Sequence, residues 1–371
     1  MIRNSSARHE SVQGKPGHPD GALFDSKGSL KIICESRWVL FGRRWYRIGK
    51  GRSGCFGTTN ILVGILSAFV FAEAMGPACT RRVRPYDGTV WNNPLPSYPA
   101  GVTHGTYHSA AMDVDVGYTI YLPPQYATNP TLSFPVIYDI YGGQASDENS
   151  EVPHYVPVLD NAVRSGQVPP MIMVFGNFGH NAKYMDAAPG SPMYGVLMVE
   201  TTFIHELIPH IDATYRTIAS KEGRAVQGGS GGGMAALRFA FKYPQMFSST
   251  FGIAPAVDDI ASNVMVNEPE LMAAMFNNDP NLWQQNTVWD LANNNAANIR
   301  DLPIHVTIGS LDGLLPWNQD LYATLDRLGI SHDPLEIISG YAHNIGYDLV
   351  GLEALQFAAK YFVPAQRRER R

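Results

Sequence analysis

The stretch AVQGGSGGGM, residues 225–234, sets Ser230 among five glycines, between a short apolar run and the helix-like MAALRFAFKYP. Glycine costs backbone entropy, so such a cluster marks a place where the chain must bend as other residues cannot. Gly228-Gly229-Ser230-Gly231-Gly232 matches G-x-S-x-G, the pattern of a strand-to-helix turn that lifts a serine hydroxyl above a sheet edge. Glycine-rich turns of this kind also cradle phosphates, but the spacing fits neither the P-loop nor the dinucleotide fingerprint. The chemistry on offer is nucleophilic attack by Ser230, which needs a base to take its proton and a third group to orient that base.

On a strand–helix architecture those partners follow in the order serine, acid, histidine. Asp312 lies in SLDG, just after IHVTIG, and His343 lies in GYAHNIGYDL, just after PLEIIS. Both sit at carboxyl ends of expected strands, where ligands of such sheets collect. Asp301 and His332 precede their strands, Asp320 falls inside a helix, and His205 and His210 are five apart in a helix, which suits surface or packing roles. His180, in a loop after MIMVFG, is placed to touch substrate. A developing oxyanion needs backbone donors aimed at it. Gly231, following the serine, supplies one, and Gly143 in VIYDIYGGQ the other, with Gln144 next; the bland reading of Gly142-Gly143 is a tight turn. Gln144, Tyr184, Trp283, Trp317 and Tyr341, with Asn344, are the substrate-pocket candidates. The Asn-rich 277–298, with Trp283 and Trp289, is expected to form a helical cap whose rings suit a sugar or phenolic ester, or else simply pack.

The elements that must carry these residues follow from periodicity. Residues 118–123, 134–141, 170–176, 223–228, 247–254, 303–309 and 334–339 read as strands, most of them continuously apolar as strands covered on both faces are. Helix-like segments lie at 153–166, 197–214, 231–243, 317–329 and 346–362. Strand and helix in alternation predict an α/β fold, a mostly parallel central sheet with helices on both faces and a small cap. The two strands before residue 124 are expected to pair as an edge hairpin. There is no internal repeat.

Composition bounds the rest. The chain has 371 residues, 45% hydrophobic, with net charge −5. Residues 1–84 hold 14 of 28 Lys/Arg and five of 33 Asp/Glu, so this segment is about +9 and the remainder about −14. An acidic body speaks against a nucleic-acid partner. Basic residues 43–52 precede ILVGILSAFVFA (61–72) and Ala72-Glu73-Ala74, which reads as a signal peptide cleaved before Met75, or as an uncleaved anchor. Cys79 in GPAC is a weak lipid-attachment candidate. The expected organisation is a basic leader over 1–84 outside the fold, a catalytic domain over 85–364 without membrane contact of its own, and a basic tail over 365–371. All three cysteines (Cys34, Cys55, Cys79) precede the folded region, which excludes a disulfide scaffold or cysteine-ligated metal there. No metal constellation and no cofactor motif appears.

FPVIYDIYGGQASDENSE, ETTFIHELIPHIDATYRTIASKEGRAVQGGSGGGMAALRFAFKYPQMF, LDG and YAHN together resemble the esterase D-like branch of the α/β-hydrolases, which holds feruloyl and acetylxylan esterases, S-formylglutathione hydrolases, siderophore esterases and mycolyltransferases. The resemblance spans about residues 105–362. It implies a serine carboxylester hydrolase with Ser230, Asp312 and His343 as its triad and no cofactor. Two positions depart from the family pattern: Tyr141 stands before Gly142-Gly143 where histidine is common, and Gly231 follows the serine where methionine often does, which should leave a roomier pocket. With the leader, the expectation is a secreted or periplasmic enzyme on a small-molecule or polysaccharide ester, feruloyl or acetyl. The alternatives are acyl transfer of the mycolyltransferase type, a siderophore esterase, and a non-catalytic binding module. Acyl group, alcohol and oligomeric state are not legible.

Overall fold

The computed structural model describes residues 38–41, 44–47, 89–143, 147–179, 183–257 and 267–367. The chain divides into two compact units, Met1–Thr80 and Arg81–Arg371. In the first, Trp38–Phe41 pairs antiparallel with Arg44–Arg47. The apolar run 61–72, the three cysteines, Gln144 and His180 lie outside the described residues. Among the described residues no helix is long and apolar enough to cross a membrane.

The second unit is built on eight strands: β1 Val102–Ser109, β2 Val114–Tyr121, β3 Val136–Ile140, β4 Ile172–Gly176, β5 Arg224–Gly229, β6 Ser249–Ile253, β7 Ile304–Gly309 and β8 Glu336–Ile338. Their order is β8-β7-β6-β5-β3-β4-β2-β1, parallel from β8 through β4, with β2 antiparallel to β4 and β1–β2 the expected edge hairpin. The apolar runs become strands because each residue finds a covered face. Along β3, Val136, Tyr138 and Ile140 enter one core while Ile137 enters the other, as the two-residue repeat of a strand requires.

Helices α1 (Val152–Arg164) and α8 (Tyr347–Tyr361) pack together over the face that holds Ile137, Met173 and Phe175. The opposite face is covered by α2, which runs through Val199–Thr201, Thr202–Leu207 and Ile208–Thr214, and by α3 (Gly231–Lys242). The middle stretch of α2 is π-helical, directly before Pro209. A proline ring clashes with the carbonyl four residues back, and the wider turn relieves that clash without ending the helix. Outside α3 lie α4 (Pro269–Phe276), α5 (Pro280–Gln284) and α6 (Val288–Ile299); α7 (Leu315–Leu328) follows β7 and packs on α6.

The Asn-rich segment is therefore helical, as expected, but its amides serve the backbone. Asn295, whose φ of −121° kinks α6, donates to the Phe241 carbonyl at 2.6 Å, and the Asn286 amide donates to the Leu282 carbonyl at 3.0 Å, while the Asn286 main-chain carbonyl accepts from Arg238 at 2.8 Å. Arg238, buried in α3, also donates to the Lys183 carbonyl at 3.0 Å, joining the helix behind Ser230 to both the turn between α5 and α6 and the loop after β4.

Candidate active site

Ser230 follows β5 at φ 54° and ψ −121°, a conformation that L residues avoid. Such strain persists only where the surroundings over-determine it. Here the Ser230 N–H donates to the Ile253 carbonyl at 2.7 Å, and the Ser230 carbonyl accepts from Ala256 at 2.9 Å and Met234 at 3.1 Å. The elbow is thus pinned to the end of β6 and to the first turn of α3. Contacts explain three of the glycines: a Cβ at Gly228 or Gly232 would run into the Ile140 carbonyl, and one at Gly142 would lie 2.8 Å from Ser230 Cβ. β5 and β3 can bring their carboxyl ends together only because these positions lack side chains.

The acid and the histidine arrive from β7 and β8. Asp312 sits in the turn after β7, its side chain 1% exposed, with Oδ1 accepting from the Leu314 N–H at 2.9 Å. His343 lies between β8 and α8; Gly309 lets the Tyr341 and Ala342 carbonyls close on the end of β7, and the Leu311 N–H donates to the Tyr341 carbonyl at 2.8 Å. The two groups then meet: His343 Nδ1 is 2.9 Å from Asp312 Oδ2, and His343 Nε2 is 2.8 Å from Ser230 Oγ. With Nδ1–H donating to the buried carboxylate, Nε2 is left as the acceptor for the serine proton. The His343 side chain is 46% exposed, so this bond faces the outside while its anchor is buried.

Beside the serine, Gly142-Gly143 follows β3, with Gly143 at φ 85°. Tyr141 supports this turn. Its ring packs against Phe178 and Tyr184, and its hydroxyl donates to the Gly179 carbonyl at 3.3 Å and accepts from the Phe178 N–H at 3.2 Å. Tyr184, itself at φ 57°, donates its hydroxyl to the Tyr141 carbonyl at 2.6 Å. Burial pushes the Tyr184 phenol up, so it remains a neutral donor. That bond fixes the plane of the Tyr141–Gly142 peptide. A Cβ at Gly231 would meet Tyr184 at 3.5–3.6 Å, ordinary contact, so Tyr184 borders the space that the absent side chain leaves.

The remaining pocket candidates part company. Tyr184 is buried beside Gly231, Tyr341 is exposed on the loop that carries His343, and Trp317 is half-buried, edge-on to Trp289 at 6.2 Å. Trp283 is a correction: its ring is 0% exposed and packs edge-on to Phe276 at 5.3 Å, so it belongs to the core and presents no surface to a substrate. His205, exposed, lies edge-on to Tyr243, and His210, half-buried, approaches the Tyr118 hydroxyl at 3.2 Å, surface and packing roles of the kind expected. Sequence reasoning did not find the Tyr184 bond to the Tyr141 carbonyl; nothing in the local sequence signals it. It also passed over Asp139, two residues before Tyr141, which is fully buried and accepts from the Gln227 amide at 3.0 Å.

Among curated proteins, esterases from two strains of Mycobacterium tuberculosis are 34% identical to this chain over 143 residues, 38% of it and 30% of their own length, so the match spans less than a third of those relatives. Among solved structures, a ferulic acid esterase aligns with a TM-score of 0.59 at 22% identity, over 71% of this chain and 98% of its own. An S-formylglutathione hydrolase from Agrobacterium tumefaciens aligns with 0.58 at 18%, over 72% and 98%. A fluorophosphonate-binding serine hydrolase from Staphylococcus aureus aligns with 0.57 at 16%, over 70% and 98%. At these identities the likeness is one of fold, the α/β-hydrolase sheet with its helices. The sequence profile described as "Putative esterase" matches residues 109–330, from the end of β1 through α7, and with that match over more than half of its length the chain belongs to the Esterase family of α/β-hydrolases.

Proposed function

We propose that the chain is an exported serine carboxylester hydrolase that works through an acyl-enzyme, with Ser230, His343 and Asp312 as its triad. The observation that carries this reading is the bond sequence Ser230 Oγ to His343 Nε2 at 2.8 Å and His343 Nδ1 to Asp312 Oδ2 at 2.9 Å, mounted on the strained turn after β5. Ser230 Oγ attacks the ester carbonyl while its proton passes to His343 Nε2, and the carbonyl oxygen becomes an oxyanion that takes hydrogen bonds from the Gly231 and Gly143 N–H groups. Collapse expels the alcohol, which leaves with the proton from Nε2. Water then attacks the acyl carbon as its proton passes to Nε2, and collapse breaks the bond to Ser230 Oγ, which takes that proton back as the acid departs. Asp312 orients the imidazolium through its bond to Nδ1.

The substrate reading is an ester carried by a carbohydrate or a phenolic acid. It is supported by the half-exposed His343 and by Leu311, 68% exposed beside Asp312, which leave the histidine side of the site open to a bulky substrate. Export is supported by the basic-then-apolar leader ending in Ala72-Glu73-Ala74. The test is hydrolysis of p-nitrophenyl acetate, p-nitrophenyl butyrate and a feruloyl ester by the full chain and by Ser230→Ala, with fluorophosphonate labelling beside it. The expected loss in the variant is on the order of 10³-fold or more at an unchanged melting temperature, together with loss of labelling. Turnover that survives the substitution refutes the mechanism.

A further inference from the structure

Away from the triad, the fold assembles a second cluster from residues far apart in sequence. His305 is the second residue of β7, Glu336 opens β8, and Glu353 lies on α8. One ligand atom from each falls within 4.8 Å of the others. His305 Nε2 is 3.5 Å from Glu336 Oε2 and 3.5 Å from Glu353 Oε1. His305 is 9% exposed, stacked on Phe251 at 4.7 Å and flanked by Phe357 at 5.4 Å, and its Nε2 is buried without a hydrogen-bond partner. Its other nitrogen, Nδ1, is 3.3 Å from Asp333 Oδ2, and Asp333 is fixed by its N–H to the Ile304 carbonyl at 3.0 Å.

We propose that His305 Nε2, Glu336 Oε2 and Glu353 Oε1 form a site for a divalent transition-metal ion of the zinc type. Three features of the geometry point there. Imidazole with carboxylates suits zinc and its neighbours, whereas calcium and magnesium take oxygen alone. Bonds of about 2.0–2.2 Å in a tetrahedron set neighbouring ligand atoms about 3.3–3.6 Å apart, the separation observed on both sides of His305 and too long for a good hydrogen bond. Asp333 accepts the Nδ1 proton, the carboxylate–histidine arrangement that aims Nε2 at a metal. Glu336 is further held by the Thr307 hydroxyl at 2.8 Å. Both glutamates are about two-fifths exposed, which gives the ion an entry path and leaves the fourth position to water. The ion would tie β7, β8 and α8 into one unit, and these are the elements that flank Asp312 and His343. The site is structural and takes no part in the ester chemistry.

The test is calorimetric titration of the metal-stripped full chain with Zn²⁺, followed by Co²⁺, whose visible absorption reports tetrahedral coordination. One ion per chain is expected, with a rise in melting temperature. Glu353→Gln should weaken binding at least tenfold and abolish the thermal shift, and Asp333→Asn should weaken binding by about tenfold, while turnover of p-nitrophenyl acetate by Glu353→Gln in chelator stays within twofold of wild type. His305→Gln is the sharper variant but risks the fold, and the exposed Glu353 carries the test if it fails. Zn²⁺ affinity equal in Glu353→Gln and wild type, or no stoichiometric binding in wild type, overturns the proposal.

Discussion

Two adjacent glycines make opposite demands at the residue scale. Gly231 has room for a methyl group against Tyr184, and alanine is the better helix former, so Gly231→Ala is expected to keep the fold within about 1 kcal/mol of wild type. Gly232 faces the carbonyls of Ile140 and Tyr141 where β3 and β5 converge, so Gly232→Ala is expected to cost about 3 kcal/mol or more. Urea melts of the two variants check the contrast. Asp139 makes a pH prediction. Burial, and next the Glu151 carboxylate, push its carboxyl well up, against the opposing pull of the Gln227 amide. The folded chain therefore keeps a proton that the unfolded chain gives up. Its contribution to stability is full below the unfolded carboxylate range and is lost as pH rises toward the folded value, by about 1.4 kcal/mol per pH unit. Asp139→Asn should flatten that slope, which melts at pH 4.5, 6 and 7.5 will show. Ser230, Asp312 and His343 were legible because strand ends and chain order confine them. Asp139 was not, because an acid inside an apolar strand is unremarkable until its burial is seen.

The loops that close on the serine depend on one another at the element scale. Tyr184, on the loop after β4, grips the carbonyl that precedes Gly142, on the loop after β3, and Arg238 of α3 grips the Lys183 carbonyl from behind. Tyr184→Phe keeps the ring and removes the donor. A lost hydrogen bond of about 1–2 kcal/mol at the proposed oxyanion turn should lower kcat about tenfold and leave KM nearly unchanged. Steady-state kinetics on p-nitrophenyl acetate read that split directly. The same scale explains what the sequence concealed. A tryptophan among asparagines looks like sugar recognition, yet Trp283 is drawn into the core by Phe276, and Asn295 satisfies a backbone carbonyl of the neighbouring α3. The π-helical stretch ahead of Pro209 likewise alters the interior of a helix whose extent periodicity had already marked.

For the whole molecule, the alternation of strands and helices along the chain was readable, and the order of the strands within the sheet and the chemistry at its edges were not. Alternating apolar and amphipathic segments allow a parallel sheet with an edge hairpin, and a glycine elbow names its middle strand; the cluster on His305 stays invisible because 31 and 17 residues separate its members along the chain. The division of the chain at Thr80 supports the proposal that the leader stands outside the catalytic domain. Protein beginning at Arg81 is expected to match the full chain in kcat/KM and to melt within a few degrees of it, as parallel assays and thermal scans will determine.

Ser230 and His343 lie 113 residues apart and meet only when β5 through β8 have been laid side by side. No local fragment can rehearse that encounter, so a half-assembled chain has no dilute version of the activity to display. Turnover is then a reporter of native topology: on refolding from denaturant it should return in step with the last cooperative phase of the sheet, lagging behind any earlier gain of helix.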